Sequence, residues 1–361
     1  MKLKVKGRLA LGLSVAVGLG GLALILWWVG WRRVLRETLA LGGLGFFVLA
    51  LDFALTFLFW ALTWQIILRA YGISAPWAPV VRALFSGYAV SYLTPSMYFG
   101  GEPIRVYLVS RELGLPQPKL YATVLVAKLL ESVSLICFVF LGGFYALFVE
   151  ELPHPQREAL LWGTVFLSFW VALGVLNFAF DLRLGARLLE LLRRAPWPWS
   201  WKGALGRARD RIREVEEDIH QAFRRFQLGS TGLAFLASFA ANLLIYLRPQ
   251  IFFYFAQGIS FSFSKLSLLY ALSIILGALF WITPGGLGIA EGGRIGIFAL
   301  VGVGEAGAVA FSFALKAVEL SFVAVGLSSV VQFGLLRLRR GEEKGSGGGG
   351  GHAHDELKGE K

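Results

Sequence analysis

The sequence is poor in the groups from which most catalytic and metal sites are built. Its 361 residues include one cysteine, four histidines and two methionines. The lone Cys137 excludes an internal disulfide framework and a multi-thiolate metal centre. His154, His220, His352 and His354 fall in connecting segments or in the terminal tail, and none sits beside a nucleophile in a recognisable constellation. His352 and His354 share a glycine-rich stretch and are read as having no metal role. The expectation is no catalytic residue, no metal and no cofactor. Charge is scarce too, at 16% of residues, against about 25% in a typical soluble domain. Apolar residues take its place, with 56% hydrophobic and a mean hydropathy of +0.65. An ordinary soluble globular fold is excluded.

A bilayer core about 30 Å thick takes roughly 20 apolar residues per helical crossing. Runs of that length place full spans at 9–31, 42–68, 117–149, 156–181, 229–257 and 305–336. The expected fold is all-α: a polytopic helical membrane protein with one membrane domain over 1–340 and a disordered, Gly-rich tail over 341–361. The first run is too long for a signal-peptide core and no A-x-A-like site follows it, so it reads as a retained helix. The net charge of +12 does not point to nucleic acid, because the basic residues gather between apolar segments, as topology determinants do. The stretch 182–228 holds eleven basic and six acidic residues, which assigns it and both termini to the cytoplasmic side of the cell membrane. The acidic loop 150–158 falls outside. One segment dissents, since Trp31-Arg32-Arg33-Val34-Leu35-Arg36 also falls outside. Within 182–228, Arg207 to Phe226 reads as a charged helix with sparse apolar positions at helical spacing. It either rests on the membrane surface or is a solvated connector.

Two further apolar regions, 79–113 and 265–304, are broken in the middle. The first contains Thr94-Pro95 followed by Gly100 and Gly101. The second contains Thr283-Pro284 followed by Gly285, Gly286 and Gly288. Proline removes a helical hydrogen bond, and irregular backbone at membrane depth survives only against protein or a watery cavity. Both regions are expected as re-entrant broken-helix hairpins, with kinked ordinary helices as the alternative. The breaks match each other. Pro95 and Pro284, Glu102 and Glu291, and Arg105 and Arg294 are each 189 residues apart. Lys128 and Glu131 recur as Lys316 and Glu319 at a spacing of 188. Repeat one is therefore about 42–149 and repeat two about 229–336, and the loop assignments make them inverted. Inverted repeats with broken helices mark carriers whose site lies near the bilayer midplane.

Charged groups at membrane depth cost at least about 2.5 kcal/mol each and usually mark function. Glu102, Arg105, Lys128, Glu131, Glu291, Arg294, Lys316 and Glu319 are the candidate substrate-binding residues, with Arg248 beside Pro249 as an addition. Their alternative role is to form ion pairs that only hold the fold. Asp52 stands alone in the second span, as either a proton site or a packing hydrogen bond.

At these residues the chain resembles the lysylphosphatidylglycerol synthase transmembrane family of flippase-like domain proteins. The likeness is carried by Leu93-Thr-Pro-Ser-Met-Tyr-Phe-Gly-Gly-Glu-Pro-Ile-Arg105 and by Thr283-Pro-Gly-Gly-Leu-Gly-Ile-Ala-Glu291, and it covers about 1–340. The resemblance implies movement of anionic or isoprenoid-phosphate-linked lipids between leaflets, with anionic membrane lipids as the partner. Glu102, Arg105, Glu291 and the Pro284–Gly288 turn occupy the family's motif positions. The sequence departs where members often carry Glu-Arg followed by Asp, and here reads Ala127-Lys128-Leu129-Leu130-Glu131. Larger relatives carry a soluble aminoacyl-transferring domain, for which neither the 182–228 loop nor the tail has room. The leading expectation is a lipid translocase that performs no chemistry. A membrane enzyme or enzyme subunit acting on aminoacyl lipids or lipid-linked sugars is the alternative.

Overall fold

The computed structural model describes residues 2–94, 100–194, 199–225, 228–279 and 283–346, and every regular element among them is helical. Pro95, Phe226, His352, His354 and the tail beyond Ser346 lie outside the described residues. The helices are α1 (Lys2–Val29), α2 (Trp31–Leu39), α3 (Gly42–Ala70), α4 (Trp77–Leu93), α5 (Glu102–Leu113), α6 (Gln117–Val149) and α7 (His154–Ala179). They continue as α8 (Leu184–Arg194), α9 (Trp199–Arg225), α10 (Leu228–Gln257), α11 (Phe263–Leu279), α12 (Ile289–Ala299) and α13 (Glu305–Ser346). Among the described residues, five helical stretches are long and apolar enough to cross a membrane: Gly42–Ala70, Gln117–Val149, His154–Asn177, Gly229–Gln257 and Glu305–Gln332.

Two boundaries differ from the sequence expectation. The first apolar helix stops at Val29, because Gly30 takes φ 92° and the chain restarts as the short α2. The dissenting arginines therefore belong to a separate amphipathic helix, with Val34 buried and Trp31, Leu35 and Leu39 exposed. The described apolar part of α1, Ala16–Val29, is shorter than a full crossing. At the other end α13 continues past the apolar run to Ser346, so the first six residues of the expected tail are helical.

The repeat seen in the sequence extends to whole helices. The order α3-α4-break-α5-α6 recurs as α10-α11-break-α12-α13. The packing follows the same exchange. Helix α4 packs on α13 as α11 packs on α6, α3 packs on α6 as α10 packs on α13, and α3 packs on its own counterpart α10. A contact pattern unchanged by exchanging the halves is that of a pseudo-two-fold.

The contacts of α3 with α10 fix the relative direction of the halves. Gly45 lies against Phe255, Asp52 bonds Arg248, and Thr63 meets Ser238. Numbers rise along α3 as they fall along α10, so these counterparts are antiparallel and the repeats run in opposite directions. Small residues let the paired helices approach, as interfaces without a hydrophobic driving force require. Gly142 packs on Ser267 and Gly143 on Ala271 between α6 and α11, while Gly326 meets Phe85 and Ala89 between α13 and α4. A stack of Phe57, Phe85 and Phe322, with centroids 4.6–5.8 Å apart, ties α3, α4 and α13 together.

Helices α4 and α5 form a hairpin. The links before α4 and after α5 share one apolar cluster with the end of α3 and the start of α6, through Ile67, Leu68, Ile73, Ala75, Val109 and Leu120. The α11–α12 hairpin starts at the opposite end, where Ser264 donates to Glu150 in the link between α6 and α7. The returning arms are short, 12 residues in α5 and 11 in α12, or roughly 18 Å at 1.5 Å per residue.

The segment between the halves folds as α8 and α9 packed on each other. The buried Glu216 caps α8 by accepting from the Gly185 and Ala186 backbone N–H groups at 2.9 and 3.1 Å. It also accepts from the Asn177 amide at the end of α7.

Candidate functional site

The two hairpin tips meet inside the bundle. Gly285 adopts φ 58°, a left-handed conformation that favours glycine. A Cβ there would also stand 2.8 Å from Cζ of Tyr92, at the end of α4. The Thr283 backbone carbonyl accepts from Gly286 N–H, and its hydroxyl donates to the Leu287 carbonyl at 2.9 Å, which closes the turn before α12. The Gly288 N–H then donates to Glu291 Oε2 at 2.7 Å, so Glu291 caps its own helix. The Lys316 ammonium, reaching over from α13, donates to the Gly285 carbonyl at 2.6 Å and stands 3.3 Å from Glu291 Oε1. Arg294 donates to Ser312 at 2.9 Å and lies over the Phe311 ring. In the second half, Glu291, Arg294 and Lys316 are therefore bound by the fold, while half-buried Glu319 makes no hydrogen bond or ion pair among the described residues. Lys316 serves Glu291 rather than the Glu319 expected from the i,i+3 spacing.

The first half is built differently. The Gly101 N–H donates to the Ser91 hydroxyl at 2.8 Å, and Gly101 presses so closely on Gly87 that a Cβ would overlap the Gly87 carbonyl oxygen. That approach lays the Arg105 stem across Gly87 and its guanidinium 4.7 Å from the Trp64 ring centroid. Arg105 is 4% exposed and Glu102 9%. Yet Nε and Nη2 of Arg105 and Oε2 of Glu102 have no hydrogen-bond partner among the described residues. The charges acting on Arg105 are the carboxylates of Glu131 and Glu102. Glu131 is paired with Lys128 at 3.0 Å. Arg105 and Lys128 balance Glu102 and Glu131, so the cluster is neutral in sum and carries an unfilled donor edge and an unfilled acceptor. Buried polar atoms are normally satisfied, and unsatisfied ones call for a reason.

Arg248 does not join either cluster. Its Nε donates to Asp52 at 2.8 Å and its Nη2 to Thr56 at 3.1 Å, and the guanidinium covers Phe53 at 3.6 Å. This pair lies on the α3–α10 contact, next to a polar network of Asn242, Ser134 and Tyr270. Asp52 is thus the ion-pair partner of Arg248, and the pair sits on the α3–α10 contact, apart from both motif clusters. Sequence reading missed this pairing although a signal existed: single opposite charges in two apolar spans are expected to find each other. Trp64, Ser91 and Ser312 were also missed, and nothing in their spacing marks them. Thr94 closes α4, with its hydroxyl donating to the Val90 carbonyl at 3.0 Å. Gly100 precedes the Gly101 cap, and Pro284 opens the 3-10 turn Pro284–Gly286.

The chain matches a family model described as "Lysylphosphatidylglycerol synthase TM region" over residues 9–326. It is 25% identical over 309 residues to the UPF0104 membrane protein PH1989 of Pyrococcus horikoshii, covering 82% of this chain and 89% of that one. It is likewise 25% identical over 300 residues to a UPF0104 membrane protein of Methanothermobacter thermautotrophicus, covering 78% and 81%. No solved structure matches the chain.

Proposed function

Since this chain belongs to the lysylphosphatidylglycerol synthase TM-region family of multi-pass membrane proteins, we propose that it is a carrier that moves an anionic lipid between the leaflets of the cell membrane. One observation carries the reading: a guanidinium buried among α3, α4 and α5 keeps two donors unfilled among the described residues, in the half whose hairpin tip touches the oppositely directed second hairpin. The α5 and α12 arms are too short to cross a core of about 30 Å, which supports re-entrant hairpins entering from opposite faces. The basic excess of 182–228 places the α8–α9 end in the cytoplasm, so the first hairpin enters from inside and the second from outside. The end of α13 then faces the cytoplasm, and the N-terminus joins it when all 28 residues of α1 are used to cross.

In this reading the lipid phosphate takes the Nε–Nη2 edge of Arg105, a geometry suited to bidentate binding. The face of Trp64 holds the guanidinium in place, and Glu102 accepts from a hydroxyl or ammonium on the same headgroup. The acyl chains stay in the bilayer. Glu291, Lys316 and Arg294 lock the second hairpin instead of contacting lipid. The headgroup leaves chemically unchanged.

Proteoliposomes test this reading. Labelled phosphatidylglycerol is expected to exchange between leaflets with the wild type. Exchange should fall roughly 10–100-fold in Arg105→Ala, the loss of a hydrogen bond to a charged group worth about 1.5–3 kcal/mol. Arg105→Ala also takes one positive charge from a neutral buried cluster, so Arg105→Lys, which keeps the charge and loses the bidentate edge, is measured beside it and should lose exchange while melting closer to the wild type. Exchange no faster than in protein-free vesicles sinks the carrier reading. A covalent change in the lipid, seen as a new mass, would replace it with an enzyme.

A further inference from the structure

A cavity of about 780 Å³ opens between the first turns of α6 and the middle of α9, at the end of the bundle where the two halves are joined. Its walls include Tyr121 and Leu125 from α6 and Ile212 and Val215 from α9, with Arg211, Glu214 and Glu216 among them, the Glu216 carboxylate being already engaged by the α8 backbone N–H groups. The volume falls within the range of about 300–1,000 Å³ typical of ligand sites, and apolar walls with a few charges suit an amphiphile.

Two observations connect this space to the buried charges. Helix α5, which carries Glu102, packs on α6, which carries Tyr121, and Tyr121 is within electrostatic reach of Glu102, so the cavity wall and the unfilled acceptor belong to adjoining helices. Helical spacing extends the link, because Tyr121, Leu125 and Lys128 follow one another at i, i+4 and i+7 along one face of α6. Lys128 then pairs with Glu131, which acts on Arg105. One stripe of α6 therefore leads from the cavity to the neutral cluster. The cover is held differently from the bundle. Val215 packs on the apolar cluster beneath it, while the next residue, Glu216, ties α9 to α7 and α8 by hydrogen bonds, and Ile212 packs on Gly185 of α8.

We infer that the α6–α9 cavity is a vestibule in which an anionic glycerophospholipid docks before reaching Arg105, with α9 as its cover. Arg211 meets the phosphate and the apolar walls meet the glycerol and the first acyl carbons. This inference rests on the carrier reading for what happens next, but the docking has its own readout.

Single cysteines at Leu125 and Ile212, in a Cys137→Ala background, are to be modified with a polar maleimide in nanodiscs. The discs contain phosphatidylcholine alone or a mixture with phosphatidylglycerol. Leaflet exchange by the same proteins is measured in parallel. Modification should slow about tenfold with phosphatidylglycerol, the protection of a site whose ligand stands at about ten times its Kd. A control cysteine at the exposed Arg194, on α8 outside the spans, should change less than about twofold, since a surface group gains no such protection. Equal rates in the two discs, with exchange intact, overturn the vestibule and leave the carrier standing. Protection without exchange supports the vestibule and counts against the carrier. Protection that survives Arg211→Glu removes the assigned phosphate contact and overturns the docking mode.

Discussion

Removing one partner of the Asp52–Arg248 pair should damage the protein far more than removing both. The two groups stand 2.8 Å apart, with side chains 3% and 10% exposed. At an effective dielectric of about 20 their attraction is roughly 6 kcal/mol. Desolvating each ion costs several kcal/mol, so the intact pair sits near balance. Asp52→Asn strands a buried guanidinium, and Arg248→Met strands a buried carboxylate; each is expected to cost about 3–5 kcal/mol. The double variant Asp52→Leu/Arg248→Met strands nothing. Thr56 keeps its bond to the Asp52-position carbonyl, and a methionine can still cover Phe53, so the cost should be within about 1.5 kcal/mol. Thermal unfolding in detergent, followed by tryptophan fluorescence, reads the difference. For a membrane domain of about 340 residues each single variant should lower Tm by roughly 4–7 °C, and the double by at most about 2 °C. Leaflet exchange by the double variant should stay close to wild type. A double variant as unstable as either single one refutes the pairing argument. A stable double variant that no longer exchanges lipid returns Arg248 to the headgroup site.

Gly101→Ala should disrupt the α4–α5 hairpin, since its Cβ meets backbone rather than a movable side chain; overpacking costs about 1–3 kcal/mol or more. Gly296→Ala on α12, where a Cβ meets open space, should instead gain up to about 1 kcal/mol, and the two melting temperatures compared in one detergent check both. Gly285→Ala combines a left-handed φ with the Tyr92 ring, so Tyr92→Ala in the same chain should recover the steric part and leave about 1 kcal/mol of backbone cost; equal melting of single and double variants would contradict the tip contact. In the α8–α9 connector, hydrogen bonds from Arg183 hold the Asp181 carboxyl below its usual range, and those from Arg193 and Arg209 do so for Glu190. A depressed folded pKa gives stability that is complete above the unfolded value, about 4, and is lost as pH falls through the lower folded value. Hydrogen-exchange protection of 184–225 should therefore hold from about pH 8 to about pH 5 and weaken only below about pH 4.

Much of the architecture is legible in the chain itself. Five apolar runs longer than a bilayer is thick become the long helices, because only a helix satisfies its own backbone in lipid. Thr94 closes α4 and Thr283 opens the turn before α12, and the 189-residue spacing of Glu102 and Arg105 from Glu291 and Arg294 marks the repeat. Tertiary structure decided how the charges are used. Lys316 turns to Glu291 while Lys128 stays with Glu131, and Arg294 is taken up by Ser312 while Arg105 is left with open donors. Two halves with the same letters thus do different work. The reason is geometric: α3, α6, α10 and α13 are apolar nearly all round, so hydropathy leaves their rotation and register unspecified. Those are set by where glycines and rings interlock, and they determine which buried charge meets which.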